Sequence, residues 1–339
     1  MGYLAQSGNQ SRQMTAVRLR EASDRVYNPE KINDLLDGLT PDQRGLLWKF
    51  YRESQNRLTA AERALKRELL SNYRAVAGDI QQDIGRVFSS LDTDKWGLSQ
   101  ARRVGHDRAL WAQIDDRIRA LGGATQKSFD DALLNQYKTA YVDAGYRLDS
   151  LTPDSVTIKF GLLPDREILA ILDEPWKGAR FSERLGVISD EMAGEIKKQL
   201  VRSMMSEESW QDAARRIRSE MGTAGQRSVW RAEMIARTEL AHAQELANAQ
   251  FNEENSDVLE DEVWVAHPGA CEEICIPNHG QSVSEVGRPP TDSHPNCVCS
   301  VLAIPKSWGG LAKTEDGDFS ISPASRKSWA ETYGVVVED

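Results

Sequence analysis

The segments ACEEICIPNHG, residues 270–280, and DSHPNCVCS, residues 292–300, contain every cysteine of the chain. Their Cys and His residues are Cys271, Cys275, His279, His294, Cys297 and Cys299. Thiolate and imidazole are the side chains that Zn2+ prefers, and structural zinc sites join two close ligand pairs through a loop. The intervening loop is rich in Gly, Pro and Ser and could not bury a core of its own. These segments therefore predict a small module folded around a metal ion.

The spacing C-x3-C-x3-H, followed by H-x2-C-x-C, favours one ligand pair on each side of the loop. The preferred ligands of a structural Zn2+ site are Cys271, Cys275, His294 and Cys297. The alternates are His279 and Cys299. If residues 297–299 form a strand, Cys297 and Cys299 point to opposite faces and are less suited to sharing one ion. Disulfide bonds and thiols without any bond are the open alternatives.

Two motifs of catalytic zinc sites are absent from the sequence. A zinc deaminase would need H-x-E followed by P-C-x-x-C, but residues 242–245 read H-A-Q-E and no P-C-x-x-C exists. The metalloprotease motif H-E-x-x-H is absent too. A zinc-supported HNH-like nuclease stays open, because His279 and His294 would be spare if the cysteines bound the metal. We assign no catalytic residue.

The acidic charge of the chain is concentrated around the cysteines. The formal net charge is -10 over 339 residues, and residues 251–305 hold ten acidic residues against one basic residue, Arg288. Such a segment repels nucleic-acid phosphates, so it does not suit a general DNA-binding module. It would suit a basic protein surface, a metal ion or plain solvent. No apolar run approaches the roughly 20 residues of a membrane-spanning helix, and no secretory signal is expected at the N-terminus.

The hydrophobic pattern predicts a mainly α-helical protein with a small α+β Cys/His module near its C-terminus. In chain order we expect a flexible polar arm (1–25), an extended helical region (26–165), a helical domain (166–251), the acidic Cys/His module (252–305) and a tail (306–339). The tail is expected to be loosely attached, although Trp308 or Trp329 could dock. The charged and hydrophobic fractions, 28% and 40%, are ordinary for a globular protein.

Local signals predict where several elements begin and end. Thr40 followed by Pro41 is a helix start, and the helical pattern continues for about fifty residues. A later helix is expected to stop at Gly122-Gly123, and residues 156–160 alternate as a short strand would.

The Cys/His module is expected to follow a last helix and to contain two strands. The helix is predicted over residues 228–251. VLEDEVWVAH, residues 258–267, alternates apolar with polar residues as a half-buried strand would, and VCSVLAI, residues 298–304, shows another short strand pattern.

A run of motifs in the C-terminal half resembles a known family. The motifs are ARTELAHAQELANA (236–249), an acidic strand ending in Trp264, Cys271 with Cys275, H-G (279–280) and H-P-N-C-x-C (294–299). In order and spacing they resemble the MuF-like phage head morphogenesis family of minor head proteins, over roughly residues 165–305. Two departures are the C-x3-C spacing, where the family usually has C-x2-C, and Val298, where it often has arginine.

The resemblance implies a minor capsid protein that assembles a tailed-phage head, and not an enzyme. Such proteins associate with the portal protein and with the major capsid or scaffold protein during procapsid assembly. Some are thought to influence DNA packaging or ejection, so phage DNA is a further expected partner. The implied location is the virion, in the head interior or at the portal vertex, and the host cytoplasm during assembly. The motif also maps onto Arg237, Thr238 and Glu239, and we expect Arg237 and Glu239 to tie the helix to the Cys/His module.

Overall fold

A computed structural model describes the fold, which is mainly α-helical as predicted. The described residues are 32–89, 106–175, 179–180, 182–184, 186, 190, 194, 198, 202, 233–267, 270–291, 293–294, 297–307 and 323–332. Their elements are a 3-10 helix (Asp34–Leu36), α1 (Pro41–Ser89), α2 (His106–Leu151), α3 (Asp165–Leu172), α4 (233–254), β1 (Leu259–Val265), α5 (Cys275–Asn278), α6 (Val283–Val286), β2 (Ser300–Pro305) and α7 (Pro323–Thr332). Within these residues no helix is long and apolar enough to cross a membrane.

The chain divides into two compact units that alternate along the sequence. Unit 1 comprises Met1–Thr59, Leu134–Ile168 and Arg237–Asp339, and unit 2 comprises Ala60–Leu133 and Leu169–Ala236. The segments expected from the sequence were consecutive, and their boundaries stay predictions. The predicted arm, Trp308 and most of the helical pattern predicted between residues 182 and 232 lie outside the described residues.

The start of α1 is confirmed, and a reciprocal capping box explains it. The backbone N–H of Thr40 donates to Oε1 of Gln43 at 2.8 Å, and the backbone N–H of Gln43 donates to Oγ1 of Thr40 at 3.3 Å. Pro41 occupies the first helical position, where its missing N–H costs no hydrogen bond. The helix then runs for 49 residues, close to the length that the sequence predicts.

The predicted stop at Gly122-Gly123 is wrong, because α2 continues through both glycines to Leu151. In unit 2 the buried stripe includes Ile118 and Leu121 before the glycines and Phe129 after them. These positions stay in phase at helical spacing. Burial of this stripe outweighs the cost of about 1 kcal/mol for each glycine in a helix interior.

The predicted strand at residues 156–160 is also wrong, because a side chain satisfies the backbone there. In unit 1 the N–H of Lys159 donates to Oδ1 of Asn255 at 2.8 Å. The Nδ2 of Asn255 donates in return to the carbonyl of Lys159 at 2.9 Å. Asn255 therefore replaces a strand partner, while Ile158 is buried as the alternation suggested.

Both strands predicted around the cysteines are confirmed, and they form an antiparallel pair in which Trp264 faces Val301. Successive side chains of a strand point to opposite faces. Val263 and Val265 therefore pack in one core cluster of unit 1, while Trp264 packs in another with the cysteines. The first cluster comprises Ile32, Leu36, Leu39, Leu47, Tyr51, Leu151, Val263, Val265, Leu302 and Ile304.

The predicted tail is not loosely attached throughout, because α7 docks within unit 1. Ala330 is fully buried against Val142. Arg326 lies 2.9 Å from the carboxylate of Asp143. Docking of Trp329, one of the two outcomes that the sequence left open, is confirmed.

Candidate metal centre

Backbone pairing along β1 holds the first cysteine segment in place. The N–H of Trp264 donates to the carbonyl of Gln281 at 2.9 Å, and the N–H of Gly280 donates to the carbonyl of Trp264 at 2.8 Å. The turn needs Gly280, whose φ of 75° lies in the left-handed region that L side chains rarely adopt. The chain therefore folds back along β1 just after α5, and Cys275 is buried at the start of that helix.

The sulfur of Cys275 is the centre of a Cys/His cluster. It lies 3.7 Å from Sγ of Cys271, 3.2 Å from Nε2 of His294 and 3.8 Å from Sγ of Cys297. The donor atoms of Cys271, Cys275 and His294 all lie within 4.8 Å of one another, which is close enough to hold a metal ion. The structure thus places the other three preferred ligands, Cys271, His294 and Cys297, around the sulfur of Cys275.

Cys299, one of the two alternate ligands, also belongs to this cluster. The sulfurs of Cys275, Cys297 and Cys299 lie within 4.8 Å of one another, and all three residues are buried. The expected alternation does not apply, because β2 begins only at Ser300. The N–H of His267 donates to Sγ of Cys299 at 3.3 Å. Cys275 is therefore shared by two groups of three candidate donors, one with Cys271 and His294 and the other with Cys297 and Cys299.

None of the four cysteines forms a disulfide in the structure. The sulfur-sulfur distances of 3.7 and 3.8 Å around Cys275 far exceed the bonded distance of about 2.05 Å. The sulfurs touch as ligands of a shared ion would, and not as bonded pairs.

The electrostatics of the buried thiols favour a cation among them. Hydrogen bonds with the thiols of Cys275 and Cys299 lower the pKa of Cys297. The hydrogen bond between Cys275 and Cys297 has the opposite effect on Cys275 and raises the pKa of that thiol. Like charges so close together disfavour each other's ionisation. A divalent cation bound between the sulfurs would remove this conflict, because it stabilises every thiolate that contacts it.

An apolar layer covers one side of the cluster. Trp264, fully buried, packs with Ala266 and the three buried cysteines, and Val286 lies against the same group. Exclusion of water strengthens electrostatic interactions inside a site. Because alternation along β1 points Trp264 toward the cysteines, this face of the candidate metal centre is shielded from water.

The alternate ligand His279 has a different position from His294. It is buried, and its Nδ1 accepts a hydrogen bond from the backbone N–H of Ala266 at 3.1 Å. It belongs to neither group of candidate metal ligands among the described residues. His279 therefore contacts the backbone of Ala266, just after β1, whereas His294 contacts the sulfur of Cys275.

The expected tie through Arg237 and Glu239 stays a prediction, but α4 is tied to the module by other residues. Oε1 of Glu245 accepts a hydrogen bond from the N–H of Val301 in β2 at 3.2 Å. Nδ2 of Asn252 donates to Oε1 of Glu262 in β1 at 2.5 Å.

Sequence reasoning missed Glu245 and Asn252, although a signal was present. With Asn248 they form a polar stripe at helical spacing on a helix otherwise rich in Ala and Leu. All three side chains are buried, which marks this stripe as an interface and not a solvated face.

Arg288, the single basic residue of the acidic segment, lies beside two of its carboxylates. Its Nη2 lies 2.6 Å from Oε2 of Glu262, and its Nη1 lies 4.0 Å from Oε2 of Glu245. Arg147 of α2 is buried near both carboxylates, and desolvation lowers its pKa while Asp143 and these carboxylates raise it. Unit 1 therefore buries ionic groups of both signs, among them Arg147 and Glu245.

Glu245 is expected to make stability depend on pH. Desolvation raises the pKa of Glu245 to about 8, although Arg288 opposes this shift. The folded state therefore binds a proton that the unfolded state releases near the usual value of 4.5. The stabilising contribution of Glu245 to the free energy of unfolding is fully present below pH 4.5 and is lost as the pH rises through about 8. The free energy of unfolding falls over this range with a slope of up to about 1.4 kcal/mol per pH unit.

Glu245→Gln cannot ionise, so its unfolding free energy relative to the wild type should rise between pH 5.5 and 8.5. Urea denaturation at several pH values measures the difference in unfolding free energy between Glu245→Gln and the wild type. Groups that titrate alike in both proteins cancel in this difference. The matched control is Glu260→Gln, an exposed glutamate on β1. Parallel stability curves for Glu245→Gln and the wild type would contradict the raised pKa.

No protein-family model, no curated protein and no solved structure matches the chain. The family resemblance noted in the sequence therefore stays a prediction. The function has to be inferred from the motifs of this chain and from the Cys/His cluster.

Proposed function

We propose that the chain is a minor head protein of a tailed phage that acts in procapsid assembly through portal and inner-capsid contacts. The observation that carries the proposal is the Cys/His cluster, whose residues stand in the order of the family motif. That motif begins in α4 and continues through β1 to the cysteines. In unit 1, α4 is hydrogen-bonded to both strands, so the residues of the motif form one connected module.

We further propose that the cluster binds one structural Zn2+ ion. Zinc-sulfur bonds of about 2.3 Å in a tetrahedron place neighbouring sulfurs about 3.8 Å apart. The distances from Cys275 to Cys271 and Cys297, 3.7 and 3.8 Å, agree with such an edge. The proposed ligands are Cys271, Cys275, His294 and Cys297. Cys299, which accepts a hydrogen bond from the backbone of His267, would then lie beside the ion as a fourth sulfur that does not bind it.

A module of this kind suits an assembly role. Among the described residues the sheet has two strands, and so small a sheet gains independent stability from a metal or from packing on a helix. Exposed acidic residues surround it, among them Glu253, Asp257, Glu260, Glu272, Glu273 and Glu285. Such a surface is complementary to a basic protein surface and repels the DNA backbone.

Co-expression with the portal protein of the same genome tests the assembly role. We expect the two proteins to elute together at a fixed stoichiometry in size-exclusion chromatography with light scattering. A portal protein from an unrelated phage is the control. If the chain elutes apart from the portal, capsid and scaffold proteins alike, the proposal is contradicted.

A nuclease assay separates the assembly role from the alternative of a zinc-supported nuclease carried in the head. Purified chain is incubated with linear and circular DNA and divalent cations, beside His279→Ala and His294→Ala. An assembly protein leaves DNA intact, and its histidine variants change zinc content or solubility only. Cleavage that either substitution abolishes in a folded, zinc-loaded chain would favour the nuclease.

A further inference from the structure

The C-terminal helix α7 has a single buried face. Arg326 and Ala330 are buried and Trp329 is half-buried, whereas Lys327 and Glu331 are exposed. The three inward residues have the spacing i, i+3 and i+4, which places them on one side of a helix. An isolated helix of ten residues is too short to be stable in water. Its order in unit 1 therefore depends on the surface that it contacts.

That surface contains a socket for the indole of Trp329. We define the socket as Val142, Asp143, Gly145, Asp149 and Phe160.

Gly145 leaves the room that the indole fills. A Cβ atom at this position would lie 2.5 Å from Cη2 of Trp329 and 3.0 Å from two ring carbons of Phe160. The rings of Phe160 and Trp329 meet edge to face with centroids 5.1 Å apart. Even one methyl group at residue 145 would therefore displace the indole.

Directional polar contacts flank the socket. Nη1 of Arg326 donates to Oδ1 of Asp143 at 2.9 Å, and Nε1 of Trp329 donates to Oδ2 of Asp149 at 3.1 Å. The other carboxylate oxygen of Asp143, Oδ2, lies 2.6 Å from Nη2 of Arg57. The socket and its flanking groups thus fit a helix that presents Arg, Trp and Ala at positions i, i+3 and i+4. Recognition of a helix by a groove commonly uses residues at this spacing.

We propose that this socket is a binding site for the helix Pro323–Thr332 as a separable ligand, and that it accepts the same helix from a second copy of the chain. Residues 308–322, which lie between Ser307 and α7, can span at most about 54 Å when fully extended. The contacts that hold α7 are the same whether it comes from its own chain or from another. Exchange of an identical element between copies is a low-cost route to self-association.

A labelled peptide of residues 321–334, ISPASRKSWAETYG, tests the site on the full-length chain. In the variant Trp329→Ala the chain's own helix no longer fills the socket. We expect saturable peptide binding to this variant, at least about tenfold tighter than to the wild type, whose attached helix competes at high effective concentration. A peptide carrying Trp329→Ala is the ligand control and should not bind.

The double variant Gly145→Ala/Trp329→Ala is the matched control for the socket, and it should bind the peptide at least tenfold more weakly than Trp329→Ala alone, because the added methyl group blocks the indole. Equal binding by both variants would overturn the proposal. So would the absence of peptide binding to a Trp329→Ala chain with a wild-type circular dichroism spectrum.

A second measurement keeps the test decisive if Trp329→Ala does not fold. In the wild-type chain, a large excess of the peptide should displace α7 and increase amide hydrogen exchange of residues 326–332. The Trp329→Ala peptide should leave their exchange unchanged. Exchange that the wild-type peptide leaves unaltered would show that α7 is not a separable ligand, and the proposal would fail.

Discussion

Replacement of Cys275 by serine is expected to abolish metal binding and to unfold the Cys/His module. Cys275 contacts Cys271, His294 and Cys297, so its loss removes the sulfur that the other ligands share. Structural zinc in small domains supplies about 10–16 kcal/mol of apparent binding free energy at neutral pH. Zinc content, measured by plasma mass spectrometry on reduced protein, should fall from about one ion per chain to nearly none.

Two control variants make this result specific. Glu285→Gln removes an exposed acidic charge of the same module, and it should retain wild-type zinc content. Cys299→Ser should also retain the ion if the ligands are the four proposed residues. Full zinc content and an unchanged thermal midpoint in Cys275→Ser would contradict the metal centre. Loss of zinc in Cys299→Ser would instead show that the sulfur of Cys299 is a ligand in place of one of the four proposed residues.

Replacement of Trp264 by alanine should destabilise unit 1 by about 3–5 kcal/mol. Trp264 is fully buried among the cysteines, and its truncation leaves a cavity beside the candidate metal centre. Urea denaturation monitored by far-ultraviolet circular dichroism gives the change in unfolding free energy. Because the cavity would also admit water to the sulfurs, zinc should dissociate faster when a chromophoric chelator is added.

Trp264→Phe is the matched control for this prediction. Among the described residues Nε1 of Trp264 has no hydrogen-bond partner, so phenylalanine loses no hydrogen bond and leaves a smaller cavity. Its cost should be well below that of alanine, at about 1–2 kcal/mol. Equal destabilisation by both substitutions would show that the indole does not pack as the structure describes.

Local signals were sufficient where neighbouring residues make the decisive contact. Thr40 and Gln43 form their capping box within four residues of sequence, so the start of α1 could be predicted. The alternation of β1 likewise predicted a strand with two different faces. The concentration of every cysteine in residues 271–299 predicted a candidate metal centre before any contact was known.

Local signals failed where a distant side chain decided the outcome. Asn255 satisfies both backbone groups of Lys159, so an alternating segment did not become a strand. The error at the glycines 122 and 123 had a different cause: the two glycines suggested a helix end, but the apolar stripe keeps its phase across them. That phase was available in the sequence, and it would have predicted one continuous helix.

The sequence by itself determined the helical class, the two strands and the set of possible metal ligands, because periodicity and side-chain chemistry are properties of nearby residues. Only the tertiary structure decided that Cys275 is the central sulfur and that Cys299 joins it. It also decided that Glu245 and Asn252 connect α4 to the sheet and that Gly145 makes room for Trp329. Most of these contacts join residues of different elements, and their distances follow from tertiary packing that no local pattern encodes.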